Sequence, residues 1–214
     1  MSAPAPRRFW AIVPAAGRGE RFASAAATAT PKQYTLLLGR SVLEWSLRAL
    51  LCEPRIEGIV VVLASGDERW PEVAGRLNSP KLMTAIGGAH RQDSVMSGLE
   101  FLASRAAPGD WVMVHDAARP CVSGDDIGAL ADAVANSNGA VLAAPIVDTV
   151  KRAGAEANET VDRTGLWRAL TPQVFAYAQL RRALREAADA GAAVTDEAQA
   201  MERIGIRAAL VAGS

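Results

Sequence analysis

Four short apolar runs recur along the chain, and amphipathic segments separate them. Little polar interruption occurs within each run, which is typical of strands buried on both faces of a parallel sheet. The predicted strands cover residues 9–13, 58–64, 111–115 and 140–146. A further extended segment covers 81–86.

Amphipathic helices are predicted between these strands. Ser41 and Glu44 have the spacing of a capping box at the start of one helix. Asp93 or Ser94 begins a second helix, and a third covers about 125–135. This alternation predicts an α/β fold, namely an open, mostly parallel twisted sheet with helices on both faces. Ligands of such Rossmann-like sheets bind beyond the carboxyl ends of the strands.

The region 148–173, DTVKRAGAEANETVDRTGLWRALTPQ, breaks this alternation. Short alternating runs flank a turn rich in Gly, Ala and Asn, so that side chains such as Lys151 and Val161 can face each other across a β-hairpin. The region is too polar to form a core of its own, and an isolated hairpin is only marginally stable. We therefore expect a protruding arm at about 147–170 that lies against another surface.

Composition narrows the classes of partner. The chain has 214 residues, half of them hydrophobic, with 23 basic and 23 acidic residues and a formal net charge of zero. A balanced charge argues against bulk electrostatic binding to nucleic acid or to an anionic membrane, and favours a small-molecule partner. The two cysteines have neither metal-ligand spacing nor the density of a secreted disulfide scaffold, so we expect reduced thiols and a cytoplasmic protein. No apolar run approaches the length of a membrane span.

The first predicted strand runs directly into the loop PAAGRGERF, which combines small residues with two arginines. Successive backbone N–H groups of such a loop can converge on phosphate oxygens. The dinucleotide fingerprint requires a third glycine where Phe22 stands, and the Gly-Lys-Ser/Thr end of a P-loop is absent. A nucleotide site and a tight turn with solvated arginines therefore both remain open. Lys32, in TPKQY, is either a solvated charge or, with Arg21, a clamp for a triphosphate.

The order of motifs along the chain is more specific than any one of them. The motifs are PAAGRGERF, PKQY, GGAHRQDSV, VHDAARP, DTVKR, TVDRTGLWRALTPQ and TDEA. In this order they resemble the 2-C-methyl-D-erythritol 4-phosphate cytidylyltransferase family, the CTP-using enzymes of the non-mevalonate isoprenoid pathway. The resemblance runs from about Trp10 to Val211. It implies a single nucleotidyltransferase domain over 1–214, a homodimer formed through the arm, and a divalent metal, normally Mg²⁺.

The implied reaction joins CTP to methylerythritol phosphate and releases pyrophosphate. Its nucleophile is a phosphate monoester that is already ionised near neutral pH, so neither His90 nor His115 needs a catalytic role. Positioning and neutralisation of charge carry such a reaction. Arg21 and Lys32 are expected to stabilise the transition state, together with Arg163 from the arm of a second subunit.

The resemblance also assigns binding residues by position. The residues expected to bind CTP are Ala15, Ala16, Gly17, Gly19, Lys32, Gly88, Arg91, Ser94 and Ala117. The residues expected to bind the acceptor are Asp116, Arg119, Thr149, Arg163, Thr171 and Thr195. Asp116 is also the candidate metal ligand, with phosphate oxygens and water supplying the other ligands. A helix cap is the alternative role of Asp116, and an N-cap that of Thr195.

Two alternatives keep the fold and CTP. One is a cytidylyltransferase for another polyol phosphate such as ribitol 5-phosphate, although the TVDRTGLW arm favours methylerythritol phosphate. The other is an inactive CTP-binding regulatory protein. The family normally continues beyond ALVAGS with a segment that carries a lysine for positioning the acceptor. A polypeptide ending at Ser214 is therefore expected to bind CTP with Mg²⁺ but to use methylerythritol phosphate poorly.

Overall fold

The structure is a computed structural model, and it describes residues 7–17, 30–154 and 158–213. The strands are β1 Phe9–Pro14, β2 Leu36–Leu37, β3 Arg40–Ser41, β4 Ile56–Leu63, β5 Leu82–Ile86, β6 Trp111–Val114, β7 Gly139–Pro145, β8 Val150–Arg152, β9 Glu159–Val161, β10 Trp167–Ala176 and β11 Ala209–Ala212. The α-helices are α1 Val42–Leu51, α2 Trp70–Leu77, α3 Arg91–Phe101, α4 Gly124–Ala133, α5 Tyr177–Asp189 and α6 Glu197–Arg203. Short 3₁₀ helices cover Lys32–Tyr34, Leu102–Ser104 and Val134–Asn136.

Seven of these strands form one sheet, in the order β11-β7-β10-β6-β1-β4-β5. Neighbours pair in parallel except β10, which is antiparallel to both β6 and β7. The carboxyl ends of β1, β4, β5 and β6 therefore meet at one edge. The chain moves outward from β1 to β5 and then returns to β6 on the other side of β1, and a ligand crevice is expected at such a reversal. The predicted fold class is confirmed.

Helices cover both faces of the sheet because the β1 side chains alternate. Ala11 and Val13 pack into a cluster with α1, α2 and α4. Trp10 and Ile12 pack into the opposite cluster with α3, α5 and α6. Leu47, at the centre of α1, is completely buried. Burying a leucine side chain contributes about 1.5–3 kcal/mol relative to leaving it exposed, so this pattern strongly favours one orientation of each helix.

The sequence pattern missed strand β10. Its first residues, from Trp167 to Ala169, are exposed, and Thr171, Pro172 and Gln173 interrupt its apolar residues, so the sequence pattern did not indicate a buried strand here. From Thr171 onward every residue of the strand is buried, and Phe175 is completely inaccessible. Pairing with β6 and β7 on its two sides brings this half into the centre of the sheet. This buried half begins just after the predicted arm at about 147–170.

Three predicted helix starts differ in detail. Ser41 caps α1 as expected, since its Oγ accepts from the Glu44 N–H at 3.1 Å, although the Glu44 carboxylate turns to arginines instead of completing a capping box. α3 begins at Arg91, two to three residues earlier than predicted. The N-cap of α6 is Asp196 and not Thr195, because the Asp196 carboxylate reaches the Gln199 N–H at 2.9 Å.

The predicted hairpin is present as β8 and β9, which form a two-stranded sheet separate from the main one. Its register places Val150 opposite Val161 and Lys151 opposite Thr160, one residue away from the predicted pairing of Lys151 with Val161. β7 ends and β10 begins at the same edge as the carboxyl end of β6, so the arm leaves the sheet beside the expected ligand crevice. None of the helices described is long and apolar enough to cross a membrane.

Candidate active site

The loop after β1 is attached to the sheet and to the Lys32 segment. The Ala15 N–H donates to the Val62 carbonyl at 2.7 Å. The buried Gln33 side chain donates through Nε2 to the carbonyls of Ala15, at 2.8 Å, and Gly17, at 3.1 Å. Gln33 therefore holds the start of the glycine loop against the 3₁₀ helix that carries Lys32, which is exposed. Gly19 and Arg21, two further predicted site residues, lie outside the described residues.

Close packing joins this loop to the segment after β5. A Cβ on Gly87 would lie 2.5 Å from the Ala16 Cβ and 2.6 Å from the Ser94 Oγ, so only glycine allows this approach. A Cβ on Gly88 would overlap the Asp93 side chain. A Cβ on Gly17, by contrast, would meet no described atom within 4 Å. The structure thus brings Ala16 and Ser94, two predicted site residues, together at Gly87, next to the predicted residue Gly88.

Arg91 lies between two carboxylates. Its Nη1 and Nη2 donate to the two oxygens of Glu197, at 2.7 and 3.0 Å, and its Nε donates to Asp116 Oδ1 at 2.9 Å. Arg119 Nε donates to the other Asp116 oxygen at 3.0 Å. Negative and positive charges therefore alternate in a row at the edge where the parallel strands end. The row is formed by Glu197, Arg91, Asp116 and Arg119. Arg91, predicted to contact CTP, has its guanidinium engaged by carboxylates in this arrangement.

The environment determines the charge states in this cluster. Burial opposes ionisation of Asp116, but Arg91 and Arg119 outweigh it and hold the pKa of Asp116 below its ordinary value. Burial likewise opposes the charged form of Arg91, but Glu197 and Asp116 raise the pKa of Arg91 above its ordinary value. Burial raises the pKa of Glu197, and the bidentate contact with Arg91 opposes that shift. Asp116 is thus a stable anion that faces the crevice.

Hydrogen bonds connect the backbone of Asp116 to Thr171 and then to His115. The Asp116 N–H donates to Thr171 Oγ1 at 3.2 Å, and Thr171 Oγ1 lies 3.1 Å from His115 Nδ1. His115 Nε2 lies 3.1 Å from the Arg119 carbonyl, which can only accept, so Nε2 carries the proton and Nδ1 accepts from Thr171. His115 is completely buried, and burial lowers the pKa of His115 to about 4. A buried neutral histidine with both ring nitrogens occupied has a structural role.

Thr195 lies just before α6, whose start is held at the same edge of the sheet. Its N–H donates to Gln199 Oε1 at 2.7 Å, just before the Asp196 cap. Gln173 on β10 donates to Asp196 at 2.9 Å and accepts from the Ala198 N–H at 2.8 Å, so the helix start is held against the sheet. Gln173 was not predicted as a site residue, although it lies in the quoted motif TVDRTGLWRALTPQ.

The remaining predicted residues divide into two groups. Ala117 is buried beside the cluster, and its carbonyl accepts from Ser46 Oγ at 3.1 Å. Thr149 and Arg163 are exposed on the arm, and no described hydrogen bond or ion pair joins their side chains to Asp116 within one chain.

Sequence reasoning missed Gln33, Gly87 and Glu197, although each lies in one of the motifs given above. No group of three His, Cys, Asp or Glu side chains within 7–17, 30–154 and 158–213 could hold a metal ion by itself.

Comparison with known proteins identifies the family of the chain. The family model described as 2-C-methyl-D-erythritol 4-phosphate cytidylyltransferase matches residues 9–214. A curated protein of that name from Vibrio parahaemolyticus is 48% identical over 207 residues, which cover 95% of this chain and 86% of the relative. Another, from Acidithiobacillus ferrooxidans, is 47% identical and covers 96% of this chain and 88% of the relative.

Solved structures give the same answer. A crystal structure titled 4-diphosphocytidyl-2C-methyl-D-erythritol synthase superposes with a TM-score of 0.82 at 34% identity, covering 98% of this chain and 90% of that one. The Francisella tularensis 2-C-methyl-D-erythritol 4-phosphate cytidylyltransferase superposes with a TM-score of 0.79 at 33% identity, covering 97% and 91%. The chain therefore belongs to the 2-C-methyl-D-erythritol 4-phosphate cytidylyltransferase family.

Proposed function

We propose that the chain transfers the cytidylyl group of CTP to 2-C-methyl-D-erythritol 4-phosphate, giving 4-diphosphocytidyl-2-C-methyl-D-erythritol and pyrophosphate. The observation that carries this proposal is the meeting of three segments at one sheet edge. They are the loop from Ala15, the segment 87–94, and the turn that holds Asp116 and Arg119. The names of the relatives support methylerythritol phosphate over ribitol 5-phosphate as acceptor, and an active enzyme over an inactive CTP-binding protein.

The reaction needs no base from the protein. One oxygen of the acceptor phosphate forms a bond to the α-phosphorus of CTP, and the bond from that phosphorus to the bridging oxygen breaks as pyrophosphate leaves. The attacking monoester is already ionised, so no proton has to be removed from it. This agrees with His115, whose ring nitrogens are both occupied by Thr171 and the Arg119 carbonyl.

CTP is assigned to the side of the crevice next to β1. Ala15, Ala16, Gly17 and Gly19 would present backbone N–H groups to the phosphates. Support comes from Gly17, where a Cβ would meet no described atom within 4 Å. The cytosine and ribose are assigned to Gly88, Arg91, Ser94 and Ala117. Arg91 would act partly through the charge network and not only by direct contact, because its three nitrogens already donate to Glu197 and Asp116.

Negative charge grows on the α-phosphate and on the departing pyrophosphate. Arg21 and Lys32 are assigned to this charge because fixed cations stabilise the transition state more than the ground state. Gln33 supports the assignment of Lys32, since it connects that segment directly to the loop carbonyls of Ala15 and Gly17.

The acceptor is assigned to the opposite side of the crevice. The contacts of Asp116 with Arg119 and Thr171 support this assignment, and Thr195, which precedes α6, is assigned to the same side. Thr171 donates its hydroxyl proton to His115. Its oxygen can therefore only accept a hydrogen bond, and a hydroxyl group of methylerythritol phosphate would donate it. Thr149 and Arg163 are exposed on the arm, and we propose that they complete the site of a second subunit in a homodimer formed through residues 147–170.

Asp116 is the one residue assigned here as a ligand of a divalent metal, Mg²⁺. Asp116 is an ionised carboxylate at the crevice, and each of its oxygens accepts one described hydrogen bond, which leaves a lone pair for a cation. One carboxylate is a small share of an octahedral shell, so phosphate oxygens and water would supply the other ligands. When bound, the metal would neutralise charge on the phosphates of CTP.

Two broader assignments belong to the same proposal. The chain would be one nucleotidyltransferase domain with a dimerisation arm. It would work in the cytoplasm, and this is supported by Cys52 and Cys121, which are exposed and unpaired and would be expected to stay reduced there.

Pyrophosphate release tests the activity. The purified chain is mixed with CTP, Mg²⁺ and either methylerythritol phosphate, ribitol 5-phosphate or no acceptor, and the product mass is recorded. We expect stoichiometric pyrophosphate and the diphosphocytidyl product with methylerythritol phosphate alone, and loss of both on chelation of the metal. Equal turnover with ribitol 5-phosphate, or none with either acceptor, would contradict the proposal.

A further inference from the structure

Glu197 is buried where α6, α3 and the turn after β6 meet. Its residue surface is 1% exposed, so a substrate in the crevice cannot touch it. We propose that Glu197 is a positioning residue that orients the Asp116 carboxylate by fixing the guanidinium of Arg91. The inference rests on the cytidylyl transfer proposed above, since it assigns Glu197 a part in that reaction.

The geometry of Arg91 carries the inference. A guanidinium group is planar, and its donors point in fixed directions. Glu197 accepts from both terminal nitrogens, at 2.7 and 3.0 Å, and such a bidentate pair fixes the plane of the group. The Nε–H then points in a direction that Glu197 has determined, and it donates to Asp116 Oδ1 at 2.9 Å. The orientation of Asp116 therefore depends on a residue that it does not contact.

Glu197 is itself held on a rigid support. The Asp196 carboxylate accepts from the Gln199 N–H at 2.9 Å and from Gln173 Nε2 at 2.9 Å. Gln173 belongs to the buried half of β10, in the centre of the sheet, and is 1% exposed. A carboxylate held this way can position a neighbour, because precise sites need supporting groups whose own geometry is fixed.

The other contact of Asp116 is less constrained. Arg119 donates to Asp116 Oδ2 at 3.0 Å, but its side chain is 47% exposed. An acceptor phosphate entering the crevice would compete with Asp116 for Arg119, because phosphate forms strong charge-assisted hydrogen bonds with guanidinium groups. Arg91 is then the contact that keeps Asp116 in place. Arg91 also begins α3, directly after the segment 87–90, so it connects the CTP side of the crevice to the acceptor side.

Glu197→Gln tests the inference, with Glu100→Gln as the matched control. Glu100 also forms ion pairs, with Arg181 and Arg185 at 2.7 Å each, but it lies at the far end of α3 from Arg91. We expect Glu197→Gln to lower kcat about 10- to 100-fold, as for other residues that orient a functional group, with KM for CTP changed less than about threefold. Glu100→Gln should keep the wild-type kcat. Rates are divided by the number of folded sites, which CTP titration counts. A variant that only loses folded protein then keeps the wild-type kcat. An unchanged kcat in Glu197→Gln overturns the proposal.

A double-mutant cycle tests the route through Asp116. In an Asp116→Asn background, adding Glu197→Gln should cost less than about twofold, because the group that Glu197 positions has already been lost. A full multiplicative loss in the double variant would overturn the proposal. Should Glu197→Gln fail to fold, Glu197→Asp keeps the charge but is one methylene shorter, so the same loss of kcat and the same non-additivity are expected of it.

A measurement without substrate separates this inference from the proposed function. The Arg91 Nε–H is observed by NMR in the wild type and in both variants. We expect it to exchange slowly with solvent in the wild type and in Glu100→Gln, and at least about tenfold faster in Glu197→Gln, because its direction is no longer fixed. Equal exchange in all three proteins would overturn the proposal even if the enzyme is active. Faster exchange in Glu197→Gln alone would support it even if another acceptor is the substrate.

Discussion

Ala16 and Gly87 pack so closely that a Cβ on Gly87 would lie 2.5 Å from the Ala16 Cβ. This contact joins the loop after β1 to the loop after β5, which come from non-adjacent strands of the sheet. The two halves of the proposed CTP site thus depend on the absence of one methyl group.

Gly87→Ala is therefore expected to weaken CTP binding at least about tenfold and to lower the free energy of unfolding by about 1–3 kcal/mol through overpacking. Gly75→Ala is the control, since Gly75 lies in α2 and an added Cβ meets no described atom within 4 Å. That control should be neutral or stabilised by up to about 1 kcal/mol. Calorimetric titration with CTP and urea unfolding measure both effects. Wild-type affinity in Gly87→Ala would show that the loop contact is unimportant for CTP.

Lys32→Ala is expected to lower kcat on the order of a hundredfold while the affinity for CTP changes little. The reason is that a fixed cation acts mainly on the charge that develops in the transition state. Lys81→Ala is the control, because Lys81 donates to the Ile56 carbonyl at the opposite edge of the sheet. Steady-state kinetics and direct CTP titration separate the two quantities. A folded Lys32→Ala enzyme with near-normal turnover would remove Lys32 from the proposed mechanism. The same experiment is expected to give the same result for Arg21→Ala.

Mixed dimers test the proposed exchange of arms. An Arg163→Ala subunit and a Lys32→Ala subunit are each expected to be nearly inactive as homodimers. In their heterodimer, one of the two sites combines an intact Lys32 with an intact partner Arg163, so up to about half of the activity per dimer should return. Arg152→Ala is the control, since Arg152 pairs with Glu159 within the arm itself and should have little effect. Failure to regain activity in heterodimers confirmed by mass spectrometry would contradict substrate contact across the interface.

His115 is expected to make stability depend on pH. Burial lowers the pKa of His115 to about 4 in the folded chain, whereas an unfolded histidine has a pKa of about 6.5. Between these values the unfolded chain binds a proton that the folded chain does not, so the free energy of unfolding falls as the pH falls from about 6.5 to about 4. The loss approaches 1.4 kcal/mol per pH unit, in total on the order of 3 kcal/mol, and above about pH 6.5 the full contribution is present.

His115→Gln should remove this component, because glutamine does not titrate. His90→Gln is the control, since His90 is the other histidine of the chain and is exposed. Urea unfolding at intervals from pH 7 to pH 4 gives the three curves, and the difference between wild type and His115→Gln isolates the histidine from the carboxylates. Parallel curves for wild type and His115→Gln would contradict a buried neutral His115.

Glu44 is expected to contribute more to stability than a similar exposed residue. Its side chain is 2% exposed, and it lies 3.3 Å from Arg40, 2.9 Å from Arg48 and 3.8 Å from Arg76. Glu44→Gln should lower the free energy of unfolding by about 1–2 kcal/mol, less than for a fully buried pair because the arginines are partly exposed. Glu72→Gln is the matched control, because Glu72 pairs with the same Arg76 at 2.6 Å but is 71% exposed. Its cost should be under about 0.5 kcal/mol in the same urea measurement, and equal costs would contradict the role of burial.

The buried strands and the order of the site motifs could be predicted from the sequence alone. The runs at 9–13 and 111–115 correspond to β1 and β6. Their apolar side chains point to both faces of the sheet, so both faces must be covered by helices. The alternation of strands and helices determined the fold class for the same local reason. The resemblance in the motifs, which is independent of any contact, indicated the family that the comparisons identify.

Only the tertiary structure decided which residues support the site. β10 was missed because Arg168, Thr171, Pro172 and Gln173 interrupt its apolar residues, and pairing with β6 and β7, far away in sequence, is what buries its second half. Gln33 acts on Ala15, 18 residues away, and Glu197 acts on Arg91, 106 residues away, while Gly87 packs on Ala16 from the other side of β4. A sequence pattern reports the periodicity of one segment, whereas close packing and bidentate ion pairs arise between segments. The link from Glu197 through Arg91 to Asp116 exists only because the sheet brings the starts of α6 and α3 to the carboxyl end of β6.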